Sequence, residues 1–442
     1  MAKIGFISLG CAKNQVDCER MMFRVQEAGH SVEAELVNTD VVVINTCGFI
    51  DSAASEAIDN ILQTARLKEA GLVGKILVTG CLSQRYQEEI LKEMPEVDGI
   101  LGTGSYTEIV PAIERLLENE QVIDFGDIDA PEVETGRILT TPEHYAYLKI
   151  AEGCDNKCAY CVIPSLRGKF RSRHLDDVLY EARVLAHEGV KEMIVVAQDT
   201  SRYGTDLGDG KRLLPTLLKE LCAIEDLHWV RLHYVYPDEI DEELIDVIAS
   251  EPKIVKYLDI PIQHCNSEIL ERMNRRGNGE YLRWPLTHLR EKIPGLVLRS
   301  SIITGLPGEG DEEFTELCQF LKDMRMERVG AFPFSPQEGS EAAKMEYPDF
   351  GVAQKRAQII EELQSRIMDA WNDSMVGKDL GVLVDGYDEE MGQYYGRSYA
   401  DSPDVDGRVW IACDEPLREG NFVMVHIDGS AEGELTGYLL EE

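Results

Sequence analysis

From residue 1 to about 120, short apolar runs alternate with amphipathic stretches: Ile4 to Leu9 then Asn14 to Ala28, Val41 to Asn45 then Asp51 to Ala70, Ile76 to Thr79 then Gln84 to Met94. Such a rhythm commits the chain to a parallel sheet flanked by helices. In the second helix Ala54, Ile58, Ile61, Leu62 and Ala65 recur at helical steps and predict one apolar stripe, with Asp51 as the N-cap. The rhythm resumes with strands expected at Tyr145 to Ala151, Met193 to Ala197, Trp229 to Tyr234, Tyr257 to Ile260, Val297 to Ile303 and Arg328 to Phe332. Six such units make a partial (β/α)6 barrel, closed by a helix over Val352 to Trp371. Val122 to His144, rich in Asp, Glu, Pro and Thr, lacks an apolar period and reads as a linker. From about Met375 the pattern turns to Gly-punctuated runs at Leu380 to Val384, Val409 to Ala412 and Val423 to Ile427, the mark of a small β-barrel. The expected fold is α/β multidomain: a parallel α/β sheet domain over 1–121, a linker over 122–144, a partial barrel over 145–373 and a small β-barrel over 374–442.

Cysteines fall where this fold gathers its chemistry. Cys154, Cys158 and Cys161 form a C-x3-C-x2-C stretch in the loop after the first barrel strand, where barrel active sites gather. Three thiolates hold a [4Fe–4S] cube but leave one iron open to an exogenous ligand, since a cube normally takes four cysteines. The alternative is a structural zinc knuckle, but zinc prefers paired C-x2-C units with further Cys or His, and no such pair lies nearby. In the first domain Cys11, Cys47 and Cys81 each lie two residues past an expected strand end, separated by 36 and 34 residues, about one βα unit. They therefore share the sheet edge at which open α/β folds bind ligands. Gly10, Gly48 and Gly80 would let the backbone pass close to a bulky inorganic group. The alternative is three buried cysteines filling apolar gaps.

Composition narrows the partners. The chain has 44 Lys and Arg against 81 Asp and Glu, a net charge of −37, which repels phosphate backbones and favours basic partners. Eleven cysteines in 442 residues point to reduced thiols and metal ligands in the cytoplasm. No apolar run approaches the ~20 residues that span a bilayer. Cys18, Cys222 and Cys318 fall in helical patterns and are expected to pack in cores, while Cys265 can line the barrel cavity and Cys413 lies in the terminal barrel.

With its aromatic residue, the stretch Cys154-x3-Cys158-x-Tyr160-Cys161 resembles the signature of the radical S-adenosylmethionine enzymes. The resemblance implies that the amine and carboxylate of S-adenosylmethionine chelate the open iron. One electron then cleaves the sulfonium to a 5′-deoxyadenosyl radical, which abstracts hydrogen from an unactivated carbon. Polar groups at expected strand ends fit a wall around that cofactor: Gln198 and Asp199, Arg231 and His233, Gln263 and His264, Arg299, and Gly305 in Thr304-Gly-Leu-Pro-Gly-Glu309. Each is either a contact to the cofactor, as Tyr160 would also be, or a satisfied polar group of the fold.

Taken whole, the chain resembles the methylthiotransferases, with a three-cysteine N-terminal domain, a radical barrel and a TRAM-type β-barrel. This implies a second [4Fe–4S] cluster on Cys11, Cys47 and Cys81, whose open iron carries a sulfur that is methylated and transferred. Two molecules of S-adenosylmethionine would serve each product. Family members modify either transfer-RNA adenosines or the β-carbon of an aspartate in ribosomal protein S-twelve. The expected TRAM barrel carries Lys378, Arg397, Arg408 and Arg418 against sixteen acidic residues, a balance of −12, which favours the basic ribosomal protein over RNA. Acidic groups at Asp388 to Glu390 and at Glu441 and Glu442 contribute to it. Asn45-Thr-Cys-Gly-Phe-Ile-Asp-Ser52, Tyr145-Ala-Tyr-Leu-Lys-Ile150, Ile163-Pro-Ser-Leu-Arg-Gly168, Gln198-Asp-Thr-Ser201 and Arg231-Leu-His-Tyr-Val-Tyr-Pro237 also resemble the ribosomal branch. An electron donor is a further implied partner. The competing readings are the same chemistry on transfer RNA and a non-enzymatic two-cluster iron–sulfur protein.

Overall fold

The computed structural model describes residues 1–440. Its first sheet has six parallel strands in the spatial order Ser31–Glu33, Lys3–Ser8, Thr39–Thr46, Val73–Gly80, Gly99–Leu101 and Val122–Asp124. The strand Thr39–Thr46 is continuously apolar from Val41 to Ile44 because helices cover both its faces. Val41 and Val43 pack with residues of the helices Ala12–Glu27 and Ile109–Leu117, and Val42 and Ile44 with those of Asp51–Glu69.

Several local expectations shift. Ile50 is the N-cap of the second helix and Asp51 its first residue, with the Asp51 carboxylate accepting from Ser335 Oγ at 2.7 Å. The buried stripe runs through Ala54, Ala57, Ile61, Thr64 and Ala65, while Ile58 and Leu62 are 39% exposed. Small residues let this helix lie close to the sheet, which a stripe chosen by hydrophobicity misses. The helix expected over Gln84 to Met94 is two pieces, Cys81–Tyr86 and Glu89–Glu93, broken at Gln87 with φ +45°. Val122–Asp124, read as the start of the linker, is the sixth strand, paired with Gly99–Leu101 and too short to display a period.

In the second sheet the six parallel strands Tyr145–Lys149, Glu192–Val196, Trp229–Leu232, Ile254–Asp259, Val297–Thr304 and Arg328–Pro333 lie side by side in chain order. The helix Phe350–Asp373 packs on the last of them through Ala357 and Ile360. Leu148, Val195, Val230 and Leu232 face the surrounding helices, whereas Tyr147, Lys149, Glu192 and Arg231 face inward.

The C-terminal strands Asp379–Asp388, Gln393–Arg397, Val409–Ala412, Phe422–Ala431 and Glu434–Leu439 close into a barrel around Val382, Val384, Val409, Ile411, Val425 and Ile427. Between its second and third strands, the segment Ser398–Asp406 enters the lumen of the partial barrel from the amino ends of the strands. Tyr145 Oη donates to Asp404 at 3.4 Å, Tyr257 Oη donates to Asp406 at 2.6 Å and Arg328 pairs with Asp401 at 3.0 Å. Residues from both edges of the open sheet thus grip one plug, so the sheet is curled.

The plug engages two of the residues expected around the cofactor. Arg231 pairs with Glu192 at 2.7 Å and donates to the Tyr399 carbonyl at 2.8 Å, and His233 Nε2 meets Ser402 Oγ at 3.1 Å. Both reach the C-terminal domain. Burial, then Arg231 and Arg299, drives the His233 imidazole well below its ordinary value, so it is neutral.

Candidate active site

The N-terminal cysteines occupy the carboxyl ends of three adjacent strands. Cys47 and Cys81 directly follow Thr46 and Gly80, and Cys11 lies three residues past Ser8 as the N-cap of Ala12–Glu27. At φ +92°, Gly10 passes so close that an added Cβ would stand 2.5 Å from Cys47 Cβ. Gly48 is as tight, 2.7 Å from Leu82 Cα by the same measure. Burial raises the Cys47 thiol and lifts Cys81 to about 11, with Cys11 adding to both and Arg167 opposing.

The second set follows the short strand Ala151–Glu152. Gly153 turns the chain at φ +78°, and Cys154 N donates to the Gly168 carbonyl at 3.1 Å. Burial lifts Cys154 to about 11 and Cys161 to about 12, and Cys158 adds to both. Arg275 donates to Cys158 Sγ at 3.8 Å and to the Tyr160 hydroxyl at 3.5 Å.

Arg167, six residues past Cys161, reaches the N-terminal set. Its Nε donates to Cys81 Sγ at 3.3 Å, its second nitrogen reaches Asp17 and Glu152, and its third donates to Asn14 Oδ1 at 2.8 Å. Cys81 packs against Val162 and Leu166, in the segment that immediately follows Cys161. Lys149 completes the charge pattern by pairing with Asp17, with Glu132 at 3.1 Å and with Glu152 at 2.9 Å. Among the described residues no three His, Cys, Asp or Glu side chains converge closely enough for a single metal ion. A four-iron cube attaches its cysteines to separate irons and suits a wider set. Thiols whose burial opposes ionisation also need such a polycation before they become thiolates, and binding it would release their protons.

The polar residues expected around the barrel mouth divide. Gln198 Nε2 donates to Glu152 Oε1 at 2.5 Å, leaving its buried Oε1 without a partner. Asp199 accepts from Asn156 at 2.8 Å and from Ser201, and burial raises its carboxyl. Arg299 is 18% exposed and pairs with Asp259 at 3.0 Å. Gln263, at φ +67°, is half-buried and is bound to Val297–Thr304 by backbone bonds. Gly305 serves packing: an added Cβ would lie 2.4 Å from Ala353 Cβ, and its N–H is taken by Glu309 at 2.9 Å. His264 is buried opposite Glu309 at 3.4 Å. Cys18, Cys222 and Cys265 are buried and Cys318 half-buried, and Cys265 joins the core of the partial barrel. Sequence reasoning missed Glu152 and Arg275, which carry no motif, and gave no role to Arg167 within a stretch it did single out.

Over the whole length the chain is similar to curated methylthiotransferases. The ribosomal protein uS12 methylthiotransferase RimO of Thermoanaerobacter sp. (strain X514) is 45% identical across 99% of this chain and 100% of its own length. The RimO of Clostridioides difficile (strain 630) is 41% identical across 100% of both. The chain belongs to the RimO family of radical S-adenosylmethionine methylthiotransferases. It is therefore an enzyme, a transferase. Residues 3–102 match the model of uncharacterized protein family UPF0004, 148–321 the radical SAM superfamily and 376–440 the TRAM domain. Solved structures share the fold at low identity. The radical S-adenosylmethionine methyltransferase TsrM from Kitasatospora setae aligns with TM-score 0.55 at 13% identity over 75% of this chain and 73% of that one. The cobalamin-dependent radical enzyme OxsB aligns with TM-score 0.55 at 13% identity over 89% of this chain and 64% of that one. Radical SAM membership implies a [4Fe–4S] cluster and S-adenosylmethionine, which the buried thiols and the unpartnered Gln198 oxygen fit. No helix among the described residues is long and apolar enough to cross a membrane.

Proposed function

We propose that this enzyme holds two [4Fe–4S] clusters, on Cys11, Cys47 and Cys81 and on Cys154, Cys158 and Cys161, and transfers a methylthio group to the β-carbon of an aspartate in ribosomal protein uS12. The observation that carries the two-cluster reading is that the segment after Cys161 reaches Cys81, with Arg167 donating to its Sγ and Val162 and Leu166 packed against it. A segment that follows one thiol set and packs on the other brings both toward one reaction space. When bound, the clusters and S-adenosylmethionine supply the radical chemistry and the sulfur. The chain's own residues bind, orient and exclude water. Arg275 holds Cys158 and Tyr160 in place, Gln198 Oε1 is free to accept from the cofactor's amine or ribose, and Arg299 can take its carboxylate. Val162, Leu166 and Phe49 keep the space between the cysteine sets dry.

Two observations support the ribosomal substrate: the full-length relatives are uS12 methylthiotransferases, and the terminal barrel is acidic. Asp385, Asp401 and Asp406 are consumed by buried partners, as is Arg397. Glu441 and Glu442 lie outside the described residues. Glu389 and Glu390 remain exposed at the turn after Asp388, where Asp388 Oδ1 accepts from the Glu390 N–H at 2.9 Å. The surface left is acidic and attracts a basic protein while repelling RNA. The test supplies the reconstituted enzyme with S-adenosylmethionine, a one-electron donor, and either uS12 or unmodified transfer RNA, read by mass spectrometry. The expected result is a methylthio group on an aspartate of uS12 and none on RNA. Methylthiolated RNA with unmodified uS12 overturns the substrate assignment.

A further inference from the structure

Lys13 stands in the first turn of the helix Ala12–Glu27, two residues past Cys11. A cation there opposes the helix dipole, and the turn holds no acidic residue to answer it. Lys13 is only 8% exposed, and its Nζ lies 3.6 Å from the centroid of the Tyr234 ring. Several other deeply buried cations hold carboxylates: Lys149 on Asp17, Arg20 on Glu132, Arg173 on Glu181, Arg231 on Glu192. Lys13 enters no ion pair among the described residues, so its desolvated ammonium is met by Tyr234, with Cys11 and Glu152 nearby but no carboxylate in contact. Tyr234 itself is held at φ +57°, outside the ordinary range of an aromatic residue, just past the strand Trp229–Leu232. Ala12 packs on Tyr147, Ile194 and Val196 of the inner face. Lys13 therefore reaches from beside the N-terminal cysteines over the mouth of the partial barrel.

We propose that the Lys13 ammonium binds the side-chain carboxylate of the substrate residue and makes the enzyme specific for an acidic side chain. This rests on the uS12 reading above. A carboxylate entering a dry site loses its hydration, as the ammonium already has, and each compensates the other. An amide of the same shape leaves the ammonium unpaired.

The test uses the cluster-loaded enzyme without reductant, titrated with two peptides of uS12 that carry Asp or Asn at the target position and read by fluorescence anisotropy. The wild type is expected to bind the Asp peptide at least ~10-fold more tightly. Lys13→Met should equalise the two and Lys13→Arg should keep part of the preference, with S-adenosylmethionine affinity and iron content unchanged. A preference that survives in Lys13→Met overturns the proposal, as does a wild type that binds both peptides equally. A matching fall in S-adenosylmethionine affinity assigns Lys13 to the cofactor carboxylate instead, and loss of iron with the preference intact assigns it to the N-terminal cluster. A wild type that binds neither peptide yet cleaves S-adenosylmethionine when reduced rejects the uS12 reading, and this proposal with it.

Discussion

Arg167 is the residue on which most of the site converges. Replacing it with Leu leaves Asp17 and Glu152 short of a buried cation, which costs about 3–5 kcal/mol. The prediction is a loss of that size in urea unfolding of Arg167→Leu, with less iron retained. Gly10 makes the complementary point about space. Its φ of +92° and the 2.5 Å approach to Cys47 Cβ predict that Gly10→Ala loses the N-terminal cluster and keeps the other. Iron should then fall from about eight atoms per chain to about four. The cysteines were legible because spacing announces them, and Gly10 because it adjoins one. What Arg231 and Gly305 touch was not legible for one reason: a polar or flexible residue near a strand end looks the same whether it meets a cofactor, the Ser398–Asp406 plug or the helix Phe350–Asp373.

At the scale of elements, the segment after Val122–Asp124 is a buried ionic strap. Arg20 pairs with Glu132 at 2.7 Å, and Arg173 bridges Glu134 and Glu181, the latter at 2.6 Å. Arg137 lies 3.6 Å from Glu19 and 3.3 Å from Glu181. Composition showed charge and no period, but pairing between residues distant in the chain, as far apart as Arg20 and Glu132, has no sequence signature. Burial alone would raise the Glu181 carboxyl, yet Arg137, Arg173 and Arg20 hold it down at about 2. An unfolded glutamate titrates near ~4.3, so this stabilisation is full above that pH and is lost as pH falls toward 2. Glu181→Gln is expected to lower stability at pH 7 by about 2–4 kcal/mol and to flatten its decline between about pH 5 and pH 3. Urea midpoints across that range check both parts.

At the scale of the whole molecule, the C-terminal barrel is built into the catalytic one. Cutting the chain after Asp373 would strip partners from Arg231, Tyr257 and Arg328 and leave their polar groups in an open lumen. The expected outcome is an aggregating fragment with no separate melting transition for the partial barrel, measured by calorimetry. The order of the six barrel strands was readable from the alternation, and the terminal barrel from its turns. The plug was not, because Ser398–Asp406 resembles any polar loop. The acidic surface makes its own prediction: changing Asp388, Glu389 and Glu390 to Lys weakens uS12 binding at least ~10-fold at low salt, where exposed charges act most strongly, while cofactor cleavage persists. The central claim is that two clusters on two cysteine sets share one reaction. It is tested most directly by iron content and product analysis of two triple alanine variants beside the wild type. About eight irons are expected in the wild type and about four in each variant. 5′-Deoxyadenosine should form without the N-terminal set but not without Cys154, Cys158 and Cys161, and methylthiolated uS12 should form in neither variant. About four irons in the wild type, or methylthiolation that survives loss of Cys11, Cys47 and Cys81, would contradict it.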